Sequence, residues 1–239
     1  MRRIISIFPI AALLACAFVY AQDGPQPRVV DPGKPGGPPS DAIVLFDGKD
    51  LSEWTHENGQ PAKWRVENGV MICNSGTGDI VSKRKFESIQ LHVEFATPYM
   101  PKFKSQSRGN SGVYLQGRYE VQVLDSYKNA TYANGSCGAL YSEYAPLVNA
   151  CRPPEQWQTY EIIFHAPKCT DNKVTTPGTL TVLHNGVLVQ DHVTITGSTD
   201  GSGNAHACEN GPLRLQDHYS PEVGQTLVRY RNIWYRPLD

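Results

Sequence analysis

The sequence predicts an all-β protein built as a jelly-roll sandwich of two antiparallel sheets. Period-two alternation of apolar and polar residues recurs along the chain, whereas no window of useful length carries a helical apolar stripe. Glycine and proline are frequent, at 21 and 18 of 239 residues, which suits short strands joined by turns. These two observations together favour a sandwich or jelly roll over a helical bundle.

The alternation predicts eight strands, taken in order along the chain. In the first, Leu91, Val93 and Phe95 form an apolar face opposite a polar one. The eight predicted strands span residues 90–95, 111–116, 119–124, 159–165, 179–184, 188–193, 212–216 and 227–235. Asn185-Gly186 lies between the fifth and sixth strands and predicts a tight hairpin there, because this pair adopts positive φ angles.

The N-terminus predicts a secretory signal peptide over residues 1–21. Two arginines open it, an apolar stretch follows from Ile4, and Ala21 ends a small-residue cleavage site. Cys16, in the sequence Leu-Leu-Ala-Cys, suggests an alternative lipoprotein anchor, but the apolar residues after it favour cleavage after Ala21. No other segment approaches the ~20 apolar residues that span a bilayer. We therefore expect a periplasmic or secreted protein without a membrane span.

One folded domain is expected over residues 41–239, preceded by a Pro/Gly-rich leader or tether at residues 22–40. The formal net charge is -1, and only 19% of residues are charged. Proteins that bind nucleic acid through its phosphates normally carry a basic patch or a high pI, so this class is not expected.

Five cysteines lie beyond the predicted signal peptide. They form no C-x-x-C pair, which argues against a zinc site, and export makes disulfides the expected state. Among the possible pairings we expect Cys137–Cys151 and Cys169–Cys208, each closing a loop-rich insertion. Cys73, inside an apolar strand, is expected to be a buried free thiol.

The polar faces of the predicted strands hold the candidate site. If the strands are neighbours, one face becomes a groove lined by groups that hydrogen-bond or transfer protons, as in sandwiches that bind sugars. The candidate residues are His92, Glu94, Tyr114, Gln116, Glu120, Gln122, Glu161, His165, Arg214, Gln216 and His218.

Several blocks of sequence carry a resemblance to a known family. They lie at residues 45–54, 64–70, 76–80, 109–114, 119–126, 211–218 and 228–234. In this order they resemble the 3-keto-disaccharide hydrolases, also described as 3-keto-glycoside 1,2-lyases and 3-keto-2-hydroxy-glucal hydratases. The likeness covers about residues 43–238, and the fold that it implies is a concanavalin A-like jelly roll.

The resemblance implies an elimination. A ketone at C3 acidifies the C2 proton, a base removes it, the enolate expels the group on C1, and water adds to complete a net hydrolysis. Glu120 and His218 are the expected acid and base, and Arg214 or a bound divalent ion would stabilise the enolate. The expected substrate-binding residues are Glu94, Tyr114, Gln116, Gln122, Gln216 and Arg231.

The expected partner is a 3-keto sugar or glycoside, supplied by a sugar 3-dehydrogenase in the same pathway. No dinucleotide-binding fingerprint is present, so this chain is not expected to perform that oxidation. No cofactor is required by a motif. Whether a divalent metal ion binds is left open. The candidate ligands are on different predicted strands, so only the fold could bring them together: His92, Glu94, Glu120 and His218.

Two other functions remain open. The first is a non-catalytic, lectin-like carbohydrate-binding module that uses the same groove. The second is an ordinary glycosidase, which needs two carboxylates at least about 5 Å apart across the bond. Glu120 and Gln122 supply one carboxylate and one amide on their strand face, which disfavours it.

Overall fold

The computed structural model describes residue 24 and residues 26–199, 206–224 and 226–238. The predicted signal peptide and Cys16 lie outside the described residues. Residues 31–239 form one compact unit; of the preceding unit, residues 1–30, only residues 24 and 26–30 are described. In the part of the chain that is described, no helix has the length and apolar character needed to cross a membrane.

The described residues form fifteen strands and two short 3-10 helices. The strands are β1 (Ile43–Phe46), β2 (Trp54–His56), β3 (Arg65–Glu67), β4 (Val70–Ile72), β5 (Ile80–Phe86), β6 (Ile89–Ala96), β7 (Ser111–Leu115), β8 (Tyr119–Val123), β9 (Gln158–His165), β10 (Lys168–Thr170), β11 (Lys173–Thr176), β12 (Thr179–His184), β13 (Val187–Thr194), β14 (Gly211–Leu215) and β15 (Arg229–Pro237). The 3-10 helices span Ser105–Ser107 and Ala133–Gly135.

These strands make two large antiparallel sheets, as predicted. The eight-stranded sheet has the order β13-β12-β9-β6-β15-β4-β3, with β1 also paired to β15. The five-stranded sheet has the order β2-β5-β14-β7-β8. β10 and β11 form a separate hairpin. The many crossovers between non-consecutive strands are typical of a jelly roll.

The predicted strands are all present, with ends that differ by at most two residues. Asn185 and Gly186, at φ 53° and 80°, join β12 to β13 in the expected hairpin. Of the other seven strands, β4 falls in the apolar strand expected around Cys73. β1–β3, β5, β10 and β11 were not predicted, and most of these have only three or four residues.

The core lies between the apolar faces of the two sheets. Val93 and Phe95 of β6 and Val121 of β8 are fully buried in one cluster with Leu213 of β14. Two polar contacts cross this core: the Tyr160 hydroxyl donates to the Gln122 carbonyl (2.6 Å), and the hydroxyls of Ser111 and Tyr230 lie 2.7 Å apart. Because side chains alternate along a strand, Tyr114 of β7, Glu120 and Gln122 of β8 and Arg214 of β14 face away from the core.

The cysteines agree with the prediction in part. Cys169 and Cys208 form a disulfide, and Cys73 is a buried free thiol. The predicted Cys137–Cys151 disulfide is wrong: both are free thiols. The Cys137 sulfur instead lies 3.0 Å from the Tyr160 hydroxyl. The sulfurs of Cys137 and Cys151 lie within 4.8 Å of each other, so the two cysteines are neighbours as expected but are not bonded.

Part of the predicted leader is ordered against the domain. Residues 31–40 form turns, with the Ser40 amide donating to the Asp31 carbonyl at 2.9 Å. The Asn232 side-chain amide, in β15, donates to the Gly36 carbonyl at 2.6 Å. These ten residues therefore share the compact unit of the sandwich.

Candidate active site

Three functional side chains lie in one row across the five-stranded sheet. Glu120 of β8 is directly opposite Tyr114 of β7, and Tyr114 is directly opposite Arg214 of β14. Directly opposed residues project to the same face with Cβ atoms about 5 Å apart. We call the outer face of this sheet, defined by Glu120, Tyr114, Arg214, Gln122 and Gln216, the site face.

Arg214 is held in the row by three contacts. Its guanidinium lies over the Tyr114 ring, 3.9 Å from the centroid, which is a cation–π geometry. Nη1 lies 3.1 Å from the Glu57 carboxylate, and Nε lies 3.7 Å from the Asp79 carboxylate. The cation is therefore fixed beside Glu120 without being neutralised by Glu120 itself.

Glu120 is buried on the site face, with 3% of its surface exposed. A neighbouring loop lies along the edge of β8, where the Glu120 backbone amide donates to the Thr199 hydroxyl (2.9 Å). Burial raises its pKa to about 7, against the opposing effects of the Tyr114 hydroxyl and the Arg214 charge. A carboxylate with this pKa exchanges a proton readily near neutral pH, as a general base requires.

Gly112 leaves space for the side chains of Glu120 and Tyr114. A Cβ atom at position 112 would lie 2.5 Å from Glu120 Oε1 and 2.6 Å from Tyr114 Cε2. Both side chains therefore lie directly over the glycine, and any larger residue would displace them. Burial and the nearby Glu120 carboxylate also raise the pKa of Tyr114 well above its usual value, so its hydroxyl stays protonated.

Two glutamine amides complete the site face. Gln216 Nε2 donates to the Tyr114 hydroxyl (3.0 Å), and Gln122 Nε2 donates to Gln106 Oε1 (3.0 Å). Within the described residues, the buried Oε1 atoms of both glutamines have no hydrogen-bond partner. Each could accept a hydrogen bond from a sugar hydroxyl.

His218 lies just beyond the end of β14, next to Asp217. The Asp217 carboxylate accepts hydrogen bonds from the amides of Gly76 (2.7 Å) and Gly78 (2.9 Å) and so orders the loop before β5. Burial lowers the pKa of His218, which is therefore neutral at pH 7. Within the described residues, no hydrogen bond or ion pair joins His218 to Glu120.

Glu94 and Arg231 lie outside the site face, in the other sheet. They belong to β6 and β15 of the eight-stranded sheet, where Arg231 Nε binds the Glu94 carboxylate at 2.6 Å and its guanidinium lies 4.0 Å from the Trp157 ring. A groove shared by all the predicted polar faces required their strands to be neighbours, and the strands of Glu94 and Arg231 lie in a different sheet from those of Glu120 and Arg214. Alternation predicts which face a side chain takes, but not which sheet its strand joins.

His92 and Glu161 lie with Glu94 in the eight-stranded sheet. His92 Nδ1 lies 2.5 Å from the Glu161 carboxylate, and its ring stacks on Trp234. Although burial alone would raise the pKa of Glu94, hydrogen bonds from Asn232 and Arg231 lower it. These residues therefore form an ion-pair network separate from Glu120.

Gln116 and His165 also lie apart from the row. Gln116 follows β7 at φ 51°, where Nε2 donates to the Phe86 carbonyl (3.0 Å) and Oε1 accepts from Arg118 (2.7 Å). Both ends of its amide are thus used within the protein. His165 ends β9 in the eight-stranded sheet, near His192.

A cleft borders the site face on the side of β2 and β5. Its volume is about 550 Å³, and its walls come from residues 56–58, 60–63 and 77–79. Glu57 and Asp79 line the cleft and also contact Arg214, so it adjoins the row. Sequence reasoning missed both residues, although Asp79 lies in one of the blocks that carry the family resemblance.

Two tyrosines border the opposite side, next to β8. The Tyr141 amide donates to the Glu120 carbonyl (3.0 Å), and Leu140 bridges to Val121, so residues 139–141 extend the sheet beyond β8. The hydroxyls of Tyr132 and Tyr141 lie 2.6 Å apart, and Tyr132 is 47% exposed. No pattern in the sequence distinguishes these tyrosines, because irregular loops bring them to the site.

Within the described residues, one group of three side chains has donor atoms close enough for a metal ion: Cys137, Cys151 and His184. None of them is on the site face. The ligand set that the sequence left open, with His92 and Glu94 beside Glu120, is divided between the two sheets.

The comparisons with known proteins agree with the all-β fold. A candidate glycosyl hydrolase of Parabacteroides distasonis has 46% identity and a TM-score of 0.83, over 90% of this chain and 94% of that one. A second protein of that organism, described in the same words, has 22% identity and a TM-score of 0.57, over 83% and 94% of the two chains. No curated protein matches the sequence.

The family model described as a 3-keto-alpha-glucoside-1,2-lyase-like domain matches residues 41–236. This range contains both sheets, the row of Glu120, Tyr114 and Arg214, and the adjoining cleft. The chain therefore belongs to the family of 3-keto-alpha-glucoside-1,2-lyase-like domains.

Proposed function

We propose that this protein is an exported enzyme that cleaves 3-keto-glycosides, including 3-keto-disaccharides, by elimination at C1–C2 followed by hydration. The observation that carries the proposal is the buried Glu120, with a pKa of about 7, in one row with Tyr114 and Arg214. This is the arrangement expected for removing a weakly acidic proton next to a ketone.

The proposed reaction has two halves. Glu120 removes the C2 proton, the electron pair forms an enolate through the C3 oxygen, and the C1–O bond breaks to release the aglycone. The aglycone oxygen takes up one proton as Glu120 gives up the proton that it removed, which leaves Glu120 ionised and a 2-hydroxy-3-keto-glucal as the intermediate. Water then adds its oxygen to C1 and a proton returns to C2, so the net change is hydrolysis to a 3-keto sugar and an alcohol.

The other two side chains of the row suit stabilisation of the enolate that Glu120 generates. Arg214 supplies a fixed positive charge, and the Tyr114 hydroxyl keeps its proton, so both would stabilise negative charge on the C3 oxygen. Both are already in position before the substrate binds, so little reorganisation is needed during the reaction.

The remaining roles are assigned by position and charge. His218 is proposed to relay a proton: its neutral form takes up, through water, the proton that Glu120 has removed, and the resulting imidazolium donates it to the leaving oxygen. Gln122 and Gln216 would bind the sugar hydroxyls through their free Oε1 atoms. The cleft beside Glu57 and Asp79 and the Tyr132–Tyr141 pair would hold the two sides of the substrate.

Two features support the proposal that the protein is exported. Residues 1–21 have the pattern of a signal peptide, and the Cys169–Cys208 disulfide suits an oxidising compartment. The 3-keto substrate must come from an enzyme that oxidises the C3 hydroxyl of a sugar, which we expect to act in the same pathway.

Turnover of paired substrates tests the proposal. The protein is incubated with a 3-keto-glucoside and with the same glucoside carrying a C3 hydroxyl, and aglycone release is followed. Release from the 3-keto compound alone is expected. Binding without release would favour a lectin-like module, and release from the unoxidised glucoside would favour an ordinary glycosidase; either result rejects the proposal.

A further inference from the structure

Three metal-ligating side chains meet in the core, outside the site face. Cys137 and His184 have at most 1% of their surface exposed, and Cys151 is half-buried. Their donor atoms all lie within 4.8 Å of one another. We call these three residues the thiol–imidazole cluster. Both sulfurs are free thiols.

The imidazole of His184 presents an unused lone pair. Its Nε2 lies 2.8 Å from Gln158 Oε1, which also accepts from the Arg152 amide at 3.0 Å. Because Gln158 Oε1 is an acceptor, Nε2 carries the proton and Nδ1 carries the lone pair. Among the described residues, Nδ1 is buried without a hydrogen-bond partner. A metal ligand whose other ring nitrogen is fixed by an acceptor is the usual state of histidine in metal sites.

The position of the cluster matters for the site face. Cys137 is followed directly by the segment that extends the five-stranded sheet, in which the Tyr141 amide donates to the Glu120 carbonyl. His184 ends β12 of the other sheet. An ion held by the cluster would therefore connect the eight-stranded sheet to the segment beside Glu120.

We propose that Cys137, Cys151 and His184 bind one zinc ion that stabilises this junction. Two thiolates and one imidazole are ligands of Zn²⁺, and a water molecule would complete its tetrahedral set, whereas Ca²⁺ and Mg²⁺ require oxygen ligands. Zinc bonds to sulfur at about 2.3 Å, so tetrahedral ligands lie about 3.8 Å apart, and the cluster needs only small side-chain movements to reach that spacing.

The net charge of the filled site also favours zinc over Cu⁺. Binding releases one proton from each thiol, so that Zn²⁺, two thiolates and a neutral imidazole sum to zero. A Cu⁺ ion on the same ligands would leave a net negative charge in the core, which burial disfavours. The three ligands are far apart in sequence, so the missing C-x-x-C pair does not argue against this site.

Metal content and cobalt spectroscopy test the proposal on the full-length protein. Wild type, Cys151→Ser and Cys73→Ser are purified from zinc-supplemented medium; Cys73 is a buried free thiol outside the cluster and serves as the matched control. We expect about one zinc per chain in wild type and Cys73→Ser, and at least a tenfold loss in Cys151→Ser. Chelation should lower the Tm of wild type and leave that of Cys151→Ser unchanged.

Wild type alone also decides the question if Cys151→Ser does not fold. Replacing zinc by Co²⁺ should give thiolate-to-metal charge-transfer absorption and the visible bands of a tetrahedral site. The proposal is overturned if wild type binds neither ion while both thiols remain titratable. It is equally overturned if non-reducing peptide mapping finds Cys137 joined to Cys151, because a disulfide leaves no thiolate for the metal.

Discussion

At the residue scale, the account depends on one carboxylate in an unusual environment. Glu120 faces away from the apolar core but is still buried, and its carboxylate lies beside the Tyr114 ring over Gly112. Its partners are a protonated tyrosine and a fixed arginine rather than a second carboxylate in direct contact. This combination suits proton abstraction from carbon better than direct displacement at C1.

Glu120→Gln should abolish most turnover of a 3-keto-glucoside. The amide cannot accept the C2 proton, and loss of a general base typically costs about 10²–10⁴-fold in rate. Glu67→Gln, at an exposed residue of β3, is the matched control and should retain wild-type activity. Circular dichroism and Tm verify that both variants are folded. Near-normal turnover by folded Glu120→Gln would remove Glu120 from the mechanism.

The pH profile of kcat/KM should report the same group. Burial raises the pKa of Glu120 to about 7, and only the unprotonated form is a base, so activity should fall as the pH decreases below about 7. The Arg214 charge opposes this shift, so Arg214→Met should move the acid limb to higher pH. Arg214→Lys keeps the charge and should move it less. An acid limb near the ordinary glutamate pKa, unmoved by Arg214→Met, would contradict this assignment.

At the element scale, the site is a consequence of strand register. β8, β7 and β14 are neighbours, so the alternation within each strand aligns Glu120, Tyr114 and Arg214 in one row. The sequence was sufficient to predict these strands and the side chains on their polar faces. It could not predict that β6 and β15 join the opposite sheet, because neighbours in a sheet are determined by long-range packing.

Loops contribute the rest of the site, and sequence patterns say little about them. Glu57 and Asp79 reach Arg214 from the turns around β2 and β5, and Tyr132 and Tyr141 reach β8 from an irregular segment. Such segments have no periodicity to interpret. The short strands β1–β3 were missed for a related reason: three or four residues are too few to show alternation.

Gly112→Ala should impair catalysis because β7 leaves no space at this position. The new methyl group would displace Glu120 Oε1 and the Tyr114 ring, and a displacement of about 1 Å can cost about 100-fold in rate. Gly197→Ala is the matched control, since its Cβ would meet no atom within 4 Å. We expect kcat/KM to fall in Gly112→Ala alone; equal activities in the two variants would argue against a preformed row.

At the scale of the whole molecule, two antiparallel sheets and one disulfide define a rigid sandwich. The disulfide joins Cys169 of β10 to Cys208, just before β14, over a sequence separation of 39. It therefore ties a peripheral hairpin to the approach of the strand that carries Arg214. The apolar alternation predicted this architecture, because both sheets bury one face in a common core.

Removing this disulfide should destabilise the protein by about 4 kcal/mol. The value follows from the entropy that a cross-link over this separation removes from the unfolded chain. Urea unfolding of a Cys169→Ser/Cys208→Ser double variant, compared with wild type, measures it. A reducing agent should lower the stability of wild type toward that of the double variant, which itself should change little. Equal stability of wild type and double variant under non-reducing conditions would show that the bridge contributes nothing.

The most direct test of the central claim is hydrogen exchange at C2 during turnover in D₂O. A 3-keto-glucoside is cleaved by the wild-type protein, and the 3-keto sugar product is analysed by NMR and mass spectrometry, with correction for exchange in buffer alone. Elimination and hydration predict one deuterium at C2 in each product molecule, formed at the rate of aglycone release and absent with Glu120→Gln. Cleavage by wild type with the C2 hydrogen fully retained would contradict the account.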